Sequence, residues 1–359
     1  MCNNKYVFLV LVGILFASCD ARKSEDEVFL TQIILTTKRM NVGDNLGRII
    51  SLMSIDDYLV ITERNFNTQA QLINKKTRES FLFAQIGEGP GSFIQSSDIM
   101  QIGDRRFAIF DAQRRRIFGF SIDSIVEKGQ NSQPEVLVDE VSSFPLTIGR
   151  LSDQKYVASG LTNDLERLIL LDSNGEVVSR VGSLPAKRHH QIRGFTHSFA
   201  YWGRLITTNQ KKNRAAIATN YAGIIQIYDF STSEAQLISE HIFFLADYRE
   251  EAGQFRPTPR TRWGYLSIAS NDKHIFALFS GRYQADRANP GAFLRSNRVH
   301  VFDWDGNPVA LLLLDTEVNL IAVSCTHLYG YSDNYEDIVY AEIRSIEAIL
   351  KICKISKPY

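Results

Sequence analysis

Three groups of residues in this sequence could do chemistry. His189 and His190 stand in Pro185-Ala-Lys-Arg-His-His-Gln-Ile-Arg193, and His197 follows, so three imidazoles fall within nine residues. Such a cluster could ligate a metal or serve as acid and base near neutral pH; its plainer reading is a basic, solvated loop between structural units. A second group is acidic or amide: Glu63, Asp98, Asp111, Asn163, Asp164, Asn209 and Asp333 follow or adjoin short apolar runs. Brought together, they could form a Ca²⁺ site of a hydrolase, lactonase or lyase, although their spacing carries no signature. The third group is basic and aromatic. From Arg256 to Arg298 there are eight Lys or Arg residues against Asp272 and Asp286, interleaved with Trp263, Tyr265 and Tyr283. Guanidinium forks and aromatic faces suit a carboxylate, phosphate, sugar acid or acidic protein surface. Arg262, Trp263, Arg282 and Tyr283 are the candidate ligand-binding residues; the competing reading is that these arginines solvate long loops and neutralise local acids.

Other chemistries lack their motifs. The Gly-rich stretch Gly87-Glu-Gly-Pro-Gly-Ser-Phe93 has no Lys-Ser/Thr and is no phosphate loop. Gly-x-Ser-x-Gly is absent. The formal net charge is +0, so the chain as a whole has no electrostatic footprint for nucleic acid. Four cysteines show no zinc spacing, and Cys325 and Cys353 sit in apolar runs where a thiol is expected to fill core.

The elements that must position these residues are short strands. A hairpin is written in Val299-His-Val-Phe-Asp-Trp-Asp-Gly-Asn-Pro308, where Asp305-Gly306-Asn307 supplies the turn and an apolar run returns. The same wording recurs at Leu168–Gly175 and, more loosely, at Ile224–Asp229. First runs begin near residues 58, 106, 155, 204, 274 and 327, separated by 48, 49, 49, 70 and 53 residues, each followed by a second run. That is six units with an insertion of about twenty residues in the fourth. Length alone suggests two domains, but this period predicts one all-β fold, a six-bladed β-propeller, because a single blade cannot bury both faces and six stacked radially can. A β-sandwich is the alternative. Leu30–Thr36 alternates well and is expected to pair with the last blade and close the ring. Ser345–Lys351 is a helical candidate.

The N-terminus carries an address. Lys5 precedes an apolar run, Tyr6–Phe16, too short to span a bilayer. Leu15-Phe-Ala-Ser-Cys19 resembles the lipobox of bacterial lipoproteins, which implies cleavage before Cys19 and lipidation of that cysteine; Phe16 departs from the commonest residue at its place. Residues 1–18 are thus expected to be a signal peptide, 19–28 a charged tether, and 29–359 the propeller. The tether's Ser-Glu-Asp-Glu27 looks like the export signal of Bacteroides surface lipoproteins.

Phe83-Ala-Gln-Ile-Gly-Glu-Gly-Pro-Gly-Ser-Phe93 resembles the Gly-x-Gly-Pro-Gly-Glu-Phe signature of Bacteroides-type six-bladed propeller lipoproteins, with Ser92 in place of the usual Glu. Asp172–Gly175 with Gly182–Pro185, Ser280–Tyr283 and Val301–Gly306 look like the TolB-like branch of that group. The resemblance implies a six-bladed propeller tethered to an outer membrane, facing periplasm or cell surface. The expected function is a non-enzymatic binding module for a partner protein or an acidic ligand such as a glycan, with no cofactor and no nucleic-acid partner. The alternative is a metal-dependent enzyme, with Ca²⁺, at the channel mouth; a structural scaffold is the third reading.

Overall fold

A computed structural model describes residues 24–42, 46–64, 68–85, 87, 92–160, 166–185, 194–203 and 205–343. Six antiparallel blades follow one another along the chain. Their innermost strands are Arg48–Ile55, Ser96–Gly103, Pro145–Arg150, Leu205–Asn209, Tyr265–Ser270 and Leu320–Val323, each touching the next and the last touching the first. The second strands carry the apolar centre of each blade. In blade 2, for example, Phe107 to Asp111 are all buried.

Each junction between blades has its own apolar core. Phe83, Phe107 and Phe120 interlock between blades 1 and 2; Phe279, Phe302 and Trp304 meet Ile225 and Ile227 between blades 4 and 5. Ile49, Leu59 and Ile61 pack on Tyr329, Tyr331 and Ile338 where blade 6 meets blade 1. A blade therefore buries both faces only because it has two neighbours, as the repeat predicts.

The turn chemistry repeats as well. Asp303 accepts the backbone N–H of Asp305 at 2.9 Å and of Asn307 at 2.8 Å. Asp172 accepts those of Asn174 and Glu176, both at 2.9 Å. Within Asp305–Asn307 only Gly306 has positive φ, at 85°. A Cβ on Gly306 would lie 2.1 Å from Ser239 Cβ on the neighbouring blade. Gly306→Ala is therefore expected to cost at least about 2 kcal/mol from backbone strain and steric conflict, read as a lower urea midpoint with an unchanged slope.

Three expectations are corrected. In blade 4 the run at Leu205–Asn209 is the innermost strand, and the second strand is Arg214–Ala218. Second strands thus start at 58, 106, 156, 214, 274 and 327, which gives 48, 50, 58, 60 and 53 residues between them and removes the apparent jump of 70. The inserted residues form a hairpin, Tyr248–Glu251 with Gln254–Pro257, between blades 4 and 5. Second, Gln32–Leu35 does not close the ring. It adds in parallel to the outer strand of blade 5, Ile33 and Leu35 facing inward. Closure falls to Lys38–Arg39, paired with Asp337–Glu342 of blade 6. Asp337 reinforces it by accepting the backbone N–H of Asn41 at 3.0 Å and Arg39 Nε–H at 3.3 Å. Third, Glu25–Val28, expected in the tether, is a helical turn against blade 5. Helices at Ile122–Lys128 and Gly194–Ala200 were not foreseen; Ser345–Lys351 lies outside the described residues.

Candidate functional site

The propeller has two faces. The upper one carries the blade-to-blade connections, and the lower one the turns between first and second strands. Four of the acidic candidates lie at the upper end, and their carboxylates serve the fold. Asp111, fully buried, accepts backbone N–H groups from Ile94 at 2.8 Å, Gln95 at 3.3 Å, Gln113 at 3.1 Å and Arg114 at 3.2 Å. Asp98 joins blades 2 and 3 by accepting from Thr147 Oγ1 at 3.1 Å and from the Ile148 N–H at 3.2 Å. Glu63 is buried and accepts from Gly47 N–H at 2.5 Å and Gln71 Nε2 at 3.2 Å. Asp333 accepts from Asn319 Nδ2 at 2.8 Å. Asn209 sits at the other end, on the lower face, where it donates to the Asp272 carbonyl at 3.0 Å. Asn163 and Asp164 lie outside the described residues. Among the described residues, no three His, Cys, Asp or Glu side chains group as metal ligands.

The arginine–aromatic candidates are brought together on the upper face of blades 4 and 5. Arg262 and Tyr283 form a β-bridge, and the Trp263 N–H donates to the Arg282 carbonyl at 2.9 Å. Their cations are engaged internally. Arg262 Nε donates to the Gly281 carbonyl at 2.7 Å, with its guanidinium 4.4 Å from the Phe244 centroid and 5.5 Å from that of Tyr283. Arg282 donates to the Ala292 carbonyl at 2.9 Å and the Arg295 carbonyl at 3.2 Å, and pairs with Glu317. Arg295 reaches the same Glu317 at 3.0 Å, and Arg260 pairs with Asp247 at 3.4 Å. Trp263 packs on Tyr221 and Phe293. Tyr283 is the most exposed of the four candidates, at 51%. Arg260, Arg282 and Arg295 thus face local acids, whereas Arg262 rests on a carbonyl and two rings.

His197 is buried in the helix Gly194–Ala200, so it is not part of a solvated loop. Its Nε2 lies 2.6 Å from the Pro185 carbonyl and must donate to it, and its Nδ1 lies 2.7 Å from Tyr248 Oη. The two contacts brace the inserted hairpin. His189, His190, Cys19 and Cys353 lie outside the described residues. So does most of the glycine loop; at its described ends Arg114 donates to the Gly87 and Ser92 carbonyls, both at 2.7 Å.

The lower mouth holds residues that sequence reasoning missed. A cavity of about 1220 Å³ occupies this end of the channel. Its walls come from all six innermost strands, among them Leu52, Ile99, Ile148, Ile206, Ile268 and Val323. At the junction of blades 6 and 1 the wall turns basic and aromatic. Lys75 Nζ stands 5.4 Å from the Tyr329 ring centroid, and the Arg78 guanidinium 5.8 Å from that of Tyr340. His327 packs beside both tyrosines, 6.0 and 5.9 Å from their centroids, which are themselves 6.3 Å apart. The Lys75 ammonium donates to the Asp56 carbonyl. Burial lowers its pKa to about 8, against the opposing pull of Asp57 and Asp56. Several other charges at the rim are paired: Lys76 with Asp57 at 3.2 Å, Lys211 with Asp272 at 2.6 Å, and Asp56 with Arg105 at 3.8 Å. Cys325 is exposed on this rim, where the sequence had suggested core filling.

Six blades, a single ring and a closing strand from the N-terminus define the class as a six-bladed β-propeller. The chain belongs to the TolB-like 6-blade propeller-like family, whose model matches residues 51–326. It is similar in fold to a DUF4221-family member from Bacteroides vulgatus ATCC 8482, with a TM-score of 0.52 at 10% identity, covering 86% of this chain and 95% of that one. A Bacteroides fragilis NCTC 9343 protein gives a TM-score of 0.50 at 11% identity over 87% and 99% of the two chains. Regucalcin from Agrobacterium tumefaciens, a calcium-binding protein, gives 0.50 at 8% identity over 87% and 95%. At these identities the likeness is one of fold. No curated protein sequence matches the chain.

Proposed function

We propose that this chain is a lipid-anchored binding module outside the cytoplasm, and that it takes an acidic glycan at the lower mouth of its channel. The observation that carries the reading is the Lys75–Arg78–Tyr329–Tyr340 wall on a cavity of about 1220 Å³, ample for a ligand the size of a short oligosaccharide. A half-buried ammonium already short of solvent gains from a carboxylate more than an exposed one does. Sugar rings offer C–H faces to Tyr340, the less buried of the two tyrosines, and uronic acids add the carboxylate. The lipobox ending at Cys19 supports an anchor in the outer membrane, and with it a glycan-rich setting on the periplasmic or surface side.

The test is thermal unfolding of the soluble chain that starts after Cys19, with oligogalacturonate and with a neutral maltooligosaccharide of equal length. A ligand bound to the native state raises the midpoint by mass action. The expected result is a rise with the acidic sugar alone, lost in Lys75→Met. A rise that survives in Lys75→Met but disappears in Tyr283→Ala would move the site to the upper face. No rise with any glycan, together with capture of a protein by the immobilised chain, would replace the glycan with a protein partner.

A further inference from the structure

The N-terminal segment is fixed to blade 5 at a point very near the proposed anchor. The Glu25 carboxylate pairs with Arg298 and lies 3.0 Å from Nε2 of His300, which is fully buried. His300 is held in turn by Tyr265 Oη, 3.1 Å from its Nδ1, and by Phe279, stacked at 4.4 Å. Phe29 closes over the same imidazole at 4.5 Å and is itself buried among Phe243 and Phe302. From Glu25 onward the chain is therefore packed onto blade 5. Only six residue steps separate Glu25 from Cys19, and fully extended they reach at most about 22 Å.

What this segment presents outward includes two large apolar side chains among polar ones. Leu30 is 88% exposed and Ile34 78%, the two largest exposures among the big apolar side chains of the described residues, with Gln32 exposed between them and Ile33 and Leu35 buried. Lys38 follows on the outer strand of blade 6, also exposed. Leucine and isoleucine beside a lysine on a sheet edge match a bilayer's interface, where apolar side chains enter the acyl boundary and ammonium groups meet phosphate.

The geometry points to the adjoining outer edges of blades 5 and 6, Leu30 and Ile34 with Lys38, as a surface that docks on the lipid bilayer. This rests on the reading of Cys19 as lipidated. A short tether fixed at Glu25 holds this edge, and not the opposite side of the ring, near the headgroups. The propeller then sits on its rim with both channel mouths open sideways to the aqueous phase, so an anchored molecule can load a long glycan without lifting off the membrane.

The test uses the full lipoprotein, with Cys325 and Cys353 replaced by serine, reconstituted into phosphatidylethanolamine–phosphatidylglycerol vesicles. A nitroxide is placed by Ile34→Cys or, on blade 2 across the ring, by Val136→Cys; Val136 is also exposed, at 51%. Collision with oxygen and with a water-soluble nickel chelate is read by electron paramagnetic resonance. Docking predicts that the label at 34 is at least threefold more accessible to oxygen than to nickel, and the label at 136 the reverse. A second chain carries Leu30→Glu and Ile34→Glu with the label at Lys38→Cys; both replaced side chains point away from the core, so it should fold normally and lose the lipid signature at 38. Aqueous signals at both 34 and 136, on a chain that floats with the vesicles and carries acylated Cys19, would overturn the docking and leave the anchor standing. A chain that neither floats nor carries acyl groups would overturn both.

Discussion

Asp111→Ala is expected to lower the stability of the propeller by about 4 to 5 kcal/mol, the largest loss of any single carboxylate. Four backbone N–H groups converge on this buried side chain. Removing it deprives them of a charged acceptor in a place water reaches poorly, and each hydrogen bond to a charged group contributes about 1.5–3 kcal/mol net. The four do not add fully, since local relaxation restores part of the loss. Asp111→Asn separates this role from a catalytic one. An amide keeps the shape: its oxygen in the place of Oδ1 still accepts from Gln95, Gln113 and Arg114, while its NH₂ in the place of Oδ2 donates and cannot face the Ile94 N–H. The asparagine variant should therefore fall between the wild type and the alanine variant, about 1–3 kcal/mol below the wild type. Urea unfolding followed by tryptophan fluorescence measures both, and an Asp111→Asn chain as stable as the wild type would show that the carboxylate is not a structural acceptor.

Lys75→Met should weaken binding of an acidic oligosaccharide by about 30-fold, the equivalent of about 2 kcal/mol for a desolvated charged contact. The pH dependence has a definite sign. With the ammonium titrating at about 8, the wild type holds its charge below that pH, so affinity should fall as pH rises through 8 and level off near 10. The methionine variant should bind weakly at every pH in this range. Its stability should move the other way. The native state lowers the Lys75 pKa from 10.5 to about 8, so folding disfavours the protonated form, and this penalty is present below pH 8 and disappears as pH rises toward 10.5. Lys75→Met removes it, and the ligand-free variant should melt above the wild type at pH 7 and show no such advantage at pH 10.5. Calorimetric titration and thermal melts at both pH values measure the two effects; affinity that does not change from pH 7 to pH 10 would sever Lys75 from binding.

How much of this was legible differs from strand to strand. Second and third strands are buried on both faces and read as apolar runs, such as Phe107–Phe110 and Ile117–Phe120, so the repeat was visible. Innermost strands line the channel and mix residue types, as Ser96-Ser-Asp-Ile-Met-Gln-Ile-Gly103 does. That is why Leu205–Asn209 passed for a second strand, while Arg214–Ala218, with three alanines, went unseen. Nothing local distinguishes a strand that closes blade 6 from one added to blade 5. Leu30–Thr36 had the right alternation, and the choice between neighbouring edges was made by Phe29 and Glu25 upstream. The arginine–aromatic candidates do cluster, as Arg262 and Tyr283 show, because one insertion and one loop share the upper face of blade 5. Their guanidinium partners, Glu317 above all, come from a strand end that no spacing connects to them.

The lower site was hidden for a further reason. Lys75 and Arg78 belong to a turn of blade 1, and Tyr329 and Tyr340 to strands of blade 6, at opposite ends of the sequence. Only closure of the ring makes them neighbours. The basic turn Lys75-Lys-Thr-Arg78 was the one available signal, and alone it reads as a solvated surface.

Cys325 offers the most direct test, because its exposed thiol stands on the rim of the cavity that the account assigns to the ligand. In the soluble chain with Cys353→Ser it is the one thiol left. Its alkylation by iodoacetamide would be timed with and without saturating oligogalacturonate at pH 7.5. Occupation of the lower mouth predicts a rate slowed at least fivefold, with no slowing in Lys75→Met. An unchanged rate under conditions where calorimetry shows the sugar bound would place it elsewhere and contradict the account.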